Sequence, residues 1–219
     1  MPTATAPHPP RAERQWFITG RRQEYEGEAR ANLLRALAVT AFYAVHLADY
    51  YGLRLGLLEV PRSEDVNRKF HLAVTALAAL WTLTSLYIAI CLRQGFFPGG
   101  LKFATTGVDL VLLTWILVLS DGPKSPLVAG YFLIIGVAGL RFSLRLVWFA
   151  ALGAAAGYLF LLGHALWFAE GQRVPRYHQI IVLLALGWSG ILLGQVLRRV
   201  RGLSEEYAQR LMSGKGGQQ

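Results

Sequence analysis

Polar and apolar residues are segregated in long blocks along this chain, without the short alternation that marks strands. Six apolar blocks occupy residues 32–53, 70–92, 103–120, 126–140, 146–168 and 178–197. A hydrocarbon layer of about 30 Å takes roughly 20 apolar residues in a helix, with about 17 to 25 as the usual range. The fourth block falls short of that length. It must borrow the stretch from Arg141 to Arg145 by snorkelling or lie in locally thinned membrane. The pattern predicts an all-α fold, a polytopic membrane helix bundle with six transmembrane helices. The links at 121–125 and 141–145 are so short that the third and fourth spans, and the fourth and fifth, must form antiparallel pairs.

Composition agrees with this reading. Of 219 residues, 54% are hydrophobic and only 16% charged, where soluble domains carry about 25% charge. The single cysteine, Cys91, excludes a disulfide framework and any thiolate metal cluster. A formal net charge of +9 invites nucleic acid as a partner, but the cations gather at the span ends. With both termini inside, fifteen Lys and Arg fall on the inner side and seven on the outer. Such an excess marks the cytoplasmic face. The expected placement is therefore the cytoplasmic (inner) membrane, with N and C termini in the cytoplasm, lipid as the surroundings and no nucleic acid.

Three segments follow. Residues 1–31 form a cytoplasmic N-terminal segment. Its first ten residues, rich in Pro, Thr and Ala, lack the apolar core of a signal peptide. From Arg11 to Ala31 the charges alternate in sign, which reads as an interfacial helix anchored by Trp16 and Phe17. Residues 32–197 form the six-span bundle. Residues 198–219 form a cytoplasmic helix and a loose tail.

Ionisable groups inside a bilayer are costly, so each needs a partner or a task. Asp109 lies in the third span, with Arg35, Gln195 or a backbone donor as structural partners, or a proton-relay or ligand role as the alternative. Arg35, one turn into the first span, reads as a snorkelling anchor. His46, His71, His164 and His178 stand on four different spans at similar depth in the outer leaflet, with Asp49 one turn after His46. Imidazole ligates metals and haem iron, so the set is a candidate clamp for a divalent metal or, in pairs, for haem b. Histidine is also at ease at interfaces, and Tyr43, Tyr50, Tyr51, Trp167 and Tyr177 at the same level read as an aromatic belt or as the lining of a small apolar pocket. Gly153 and Gly157, like Gly190 and Gly194, are four residues apart, a spacing that lets helices approach closely, either within the bundle or across a homodimer seam. Phosphate loops, serine elbows and zinc-protease motifs are missing from the sequence, so a non-enzymatic protein is expected.

The run Thr106–Gly107–Val108–Asp109, then Gly122 with Ser125–Pro126, then Tyr131, resembles a pattern in six-helix membrane sensor (input) modules that stand before bacterial histidine kinases and class III nucleotide cyclases. In that pattern an Asp-bearing third span leads to a Gly-x-x-Ser-Pro outer turn and a Tyr on the fourth span. The resemblance covers roughly residues 103–165. It implies a receptor-like input domain whose last helix carries a signal into the cytoplasm. This chain departs from the pattern after the sixth span, where some twenty residues remain and neither a kinase nor a cyclase follows. Expected, then, is a stand-alone receptor that works through a protein partner, or a fragment of something longer. The alternatives are a haem or metal protein using the histidines, and a structural subunit of a larger membrane complex.

Overall fold

The computed structural model describes residues 11–55, 58–60, 68–95 and 98–215. The expected loose ends at 1–10 and 216–219 lie outside them, and around Trp16 and Phe17 only the backbone is described. The fold is helical: α1 (Arg11–Tyr51), α2 (Arg68–Arg93), α3 (Leu101–Leu119), α4 (Gly130–Gly139), α5 (Leu144–Trp167) and α6 (Arg176–Lys215). One small departure is an antiparallel hairpin, β1 (Leu53–Leu55) with β2 (Leu58–Val60), pairing Leu53 with Val60 and Leu55 with Leu58.

Five helical segments are long and apolar enough to cross a membrane: Tyr25–Tyr51, Arg68–Arg93, Leu101–Leu119, Leu144–Trp167 and Arg176–Leu203. A shorter apolar helical stretch, Pro126–Gly139, matches the fourth block. It is roughly 20 Å long at the usual helical rise. Its Tyr131, Ile135 and Ala138, spaced four and three apart, are fully buried. One face of this stretch is thus wholly enclosed, while Leu133 on another is half-exposed.

α1 runs continuously from the charged segment into the first apolar block. Within it Glu28, Ala31, Asn32, Arg35 and Val39 are buried, a stripe at helical period that carries polar groups where it begins. Gly27 permits the contact, because a Cβ there would come within 3.0 Å of the Leu140 carbonyl oxygen.

α5 is the hub, packed against α3, α4 and α6, while α1 pairs with α2. The glycines explain how closely the hub packs. A Cβ at Gly153 would meet Leu110 at 2.5 Å, and one at Gly157 would meet both Thr114 Oγ1 and Tyr131 Oη at 2.8 Å. On α6, a Cβ at Gly190 would meet Ala151 at 2.8 Å and one at Gly194 would meet Leu144 at 3.2 Å. All four therefore face neighbours inside the bundle. Overpacking such a contact costs about 1–3 kcal/mol. Gly157→Leu is expected to lose that much in a detergent unfolding titration followed by circular dichroism. Gly187→Ala, where nothing lies within 4 Å, is expected to stay within about 0.5 kcal/mol of the parent.

Candidate functional site

The α1–α2 pair meets the rest of the bundle through buried charge. Arg35 Nε donates to Asp109 Oδ1 at 2.8 Å and to Oδ2 at 3.0 Å, and Arg35 Nη2 donates to Oδ2 at 2.8 Å. Trp81 Nε1, from α2, donates to Asp109 Oδ1 at 2.7 Å. Arg35 Nη1 donates to Asn32 Oδ1 at 2.9 Å, and Asn32 Nδ2 donates to the Ser85 carbonyl at 3.0 Å. Three helices thus converge on one carboxylate. Arg35 is 4% exposed and Asp109 5%, so the anchoring role expected of Arg35 gives way to a buried ion pair. Of the three partners considered for Asp109, the structure selects Arg35 and adds Trp81. Gln195 is exposed.

A second pair lies two turns nearer the α1 N-terminus. Arg141, in the α4–α5 turn, donates from Nη2 to Glu28 Oε1 at 2.7 Å and to Thr105 Oγ1 at 3.1 Å. Its Nη1 donates to Thr106 Oγ1 at 2.7 Å and to the Lys102 carbonyl at 2.9 Å. Burial pulls the Arg141 guanidinium down from its ordinary pKa, and the charge of Glu28 beside it pushes back up. Glu28 Oε2 and Arg141 Nε have no hydrogen-bond partner among the described residues. The next residue, Phe142, has φ of 48°, a conformation uncommon for a bulky side chain. Its carbonyl accepts from Arg201 Nη2 on α6. One tight turn therefore holds α1 on one side and α6, at Arg201, on the other.

Two apolar chambers lie on either side of shared walls, and the first of them adjoins the Arg35–Asp109 pair. One, about 50 Å³, is bounded by Arg35, Asp109 and Trp81 together with Leu34, Leu133 and Val137. The other, about 90 Å³, extends past Tyr43 and His46 to Phe70, Ser120 and Leu127. They share Val39, Phe42, Trp81 and Leu113. His46 Nε2 and His71 Nδ1 lie 3.1 Å apart, Tyr50 stacks on His71 with ring centroids 3.9 Å apart, and Tyr43 Oη contacts Thr75 Oγ1 at 3.1 Å.

The four histidines are not gathered together. His46 and His71 meet directly, and in that arrangement no porphyrin plane fits between them. His164 lies beside Phe168, and His178 is half-buried at the start of α6. Among the described residues no group of three or more His, Cys, Asp and Glu side chains is placed to hold a metal ion. Asp49 is half-buried and contributes its charge to the surroundings of His46.

The remaining motif residues lie in the turn between α3 and α4 and at the start of α4. Gly122 has φ of 58°, and a Cβ there would strike Gln172 Oε1 at 2.5 Å. Ser125 Oγ accepts from the Leu127 amide at 3.3 Å, with Pro126 in the first helical position. Gln172 Nε2 donates to the Ser120 carbonyl at 2.8 Å, and Lys124 Nζ to the Gly171 carbonyl at 2.6 Å. Tyr131 Oη contacts Thr114 Oγ1 at 2.8 Å. Thr114 gives its own proton to the Leu110 carbonyl, so the tyrosine donates.

No known family model matches the chain, nor does any curated protein or solved structure.

Leaving one buried charge unpaired costs about 3–5 kcal/mol, whereas replacing both partners with apolar groups is often neutral. Arg35→Ala and Asp109→Ala are each expected to destabilise by about that amount. Arg35→Met with Asp109→Leu is expected to recover most of the loss. Unfolding titrations of the four proteins in one detergent measure the coupling directly.

Proposed function

We propose that this chain is a six-span inner-membrane protein of sensor type, with both termini in the cytoplasm, that carries no catalysis of its own and works through a protein partner. In this reading the chambers beside Trp81 receive the input, and α6 passes it to its cytoplasmic extension, where the partner docks. The observation that carries it is the Arg141–Phe142 turn. That turn binds Glu28 of α1 and Arg201 of α6, so a shift of the α1–α2 pair has a short path to the point where α6 leaves the bundle. The motif residues Asp109, Gly122, Ser125, Pro126 and Tyr131 support the same reading. Each takes part in a contact between elements or in the turn that joins them.

Orientation is tested with a Cys91→Ala background. An impermeant maleimide added to intact cells is expected to label Lys124→Cys, while Lys215→Cys is labelled only after the membrane is opened. The reverse pattern inverts the topology.

Coupling is tested with a spin label at Arg199→Cys in the same background. Glu28→Gln is expected to change the label's mobility, and a label at Lys124→Cys is expected not to respond. Deleting residues 198–219 is expected to abolish partner capture. Indifference of position 199 to Glu28→Gln, together with full partner capture by the truncated chain, defeats the sensor reading.

A further inference from the structure

The two chambers define a ligand by their size, charge and route of entry. Apolar cavities of about 150 Å³ take up a benzene ring. The chambers of about 50 and 90 Å³ lie side by side, with Val39, Phe42, Trp81 and Leu113 as walls common to both, and their summed space approaches that size. Their walls are almost wholly apolar, with polar groups at the two ends.

At the inner end Arg35 is committed to Asp109 by three hydrogen bonds, and Trp81 supplies a fourth. The pair carries no net charge. An entering anion would meet Asp109 and an entering cation would meet Arg35, each losing its hydration without a free counterion. At the outer end the Ser120 hydroxyl reaches the Leu117 carbonyl only at 3.4 Å, a weak bond, and His46 stands in the same wall. Those groups suit one hydrogen-bonding oxygen.

The route of entry is lateral. Leu34 (42% exposed), Phe42 (39%) and Leu133 (50%) line the chambers and also face the outside of the bundle, which in a membrane is lipid. A molecule arriving that way must first dissolve in the bilayer.

We infer that the two adjacent chambers, opened to one another by movement of their common walls, bind a small, uncharged, lipid-soluble molecule of single-ring size bearing one hydrogen-bonding oxygen. Its ring would lie against Trp81 and its oxygen toward Ser120 and His46. The assignment of this site as the sensor's input rests on the function proposed above, but binding itself does not. The indole that would touch the ring also holds Asp109, so occupancy would act on the Arg35–Asp109 pair without a ligand contact to either charge.

The test uses the full chain in lipid nanodiscs, with Trp16, Trp115, Trp148, Trp167 and Trp188 replaced by Phe so that Trp81 alone fluoresces. The probe is 4-bromophenol, whose bromine quenches indole at contact. Saturable quenching is expected. Ala38→Phe in the inner chamber and Ala78→Phe in the outer are each expected to raise the half-saturating concentration by about tenfold or more, with helical circular dichroism retained. Ionised 4-bromobenzoate is expected not to saturate. Quenching that rises linearly with the probe's partitioning into lipid, and equally in all three proteins, overturns the site. Saturation by 4-bromobenzoate overturns its preference for uncharged molecules. Neither readout involves α6, and the spin-label experiment involves no ligand, so failure of the binding site and failure of the sensor reading are told apart.

Discussion

Two guanidinium–carboxylate pairs, Arg35 with Asp109 and Arg141 with Glu28, fix where the α1–α2 pair sits. In water an amphipathic hairpin is driven onto its neighbours by burial of apolar surface. In hydrocarbon that drive vanishes, because lipid tails are as apolar as leucine. What remains is close packing and directional polar bonds. α5 associates with α3 and α6 by packing, with glycines at the contacts. α1 reaches α3 and the α4–α5 turn through charge. Each guanidinium on one element accepts only a narrow set of positions for the carboxylate on the other, so the pairs set the depth and rotation of α1 as well as its attachment.

The two pairs differ in how fully they are satisfied. Arg35 and Asp109 share three hydrogen bonds and draw on Asn32 and Trp81 for more. At Glu28 and Arg141 an oxygen and a nitrogen are left over. A buried ion pair repays its desolvation only when its remaining lone pairs and protons are met. The Glu28–Arg141 pair is therefore the weaker of the two in net terms, although its shortest bond is as short. It also stands where α1, α3, α4, α5 and α6 come together, through Gly27 at Leu140, Arg141 at Thr105 and Thr106, and Arg201 at Phe142. A junction that is costly to close and touches five helices is a place where a small displacement changes several contacts at once.

The spans were legible because a run of about twenty apolar residues is a local property of the sequence. Helix ends fall within about two residues of the blocks at the third and fifth spans. Pairing was legible only as a set of options. Arg35 was one of three partners open to Asp109, since nothing local in a sequence records how a helix is rotated. Glu28 and Arg141 were hidden for a different reason. Glu28 sits among charges that alternate like a solvated surface, and Arg141 sits at a span end where cations serve topology. The signal that separates Glu28 from Glu24 and Glu26 is its place seven residues before Arg35, on one stripe with Ala31 and Asn32. Trp81 and Gln172 gave no sign of their roles, because each acts through a partner on a distant helix. The histidines show the opposite limit. Equal depth could be counted along four helices, but depth says nothing of which way each helix faces, and only His46 and His71 face each other.

The bundle is thus built unevenly along its length. In its middle, at Glu28 and Arg35, α1 is held by two charged contacts about 10 Å apart along its axis. Further out it borders the chambers and contacts α2 through Tyr43 with Thr75 and His46 with His71, so there it is tied to its hairpin partner. A displacement of that half of the hairpin is resisted where α1 is held to the other helices. Here the resistance falls first on the Arg35–Asp109–Trp81 cluster, which forms the wall between chamber and charge. Next in line is Glu28, whose partner Arg141 is covalently joined to the residue that binds α6. Along α1 the contacts thus run in order from apolar space through a satisfied ion pair to an unsatisfied one, without a break in the helix.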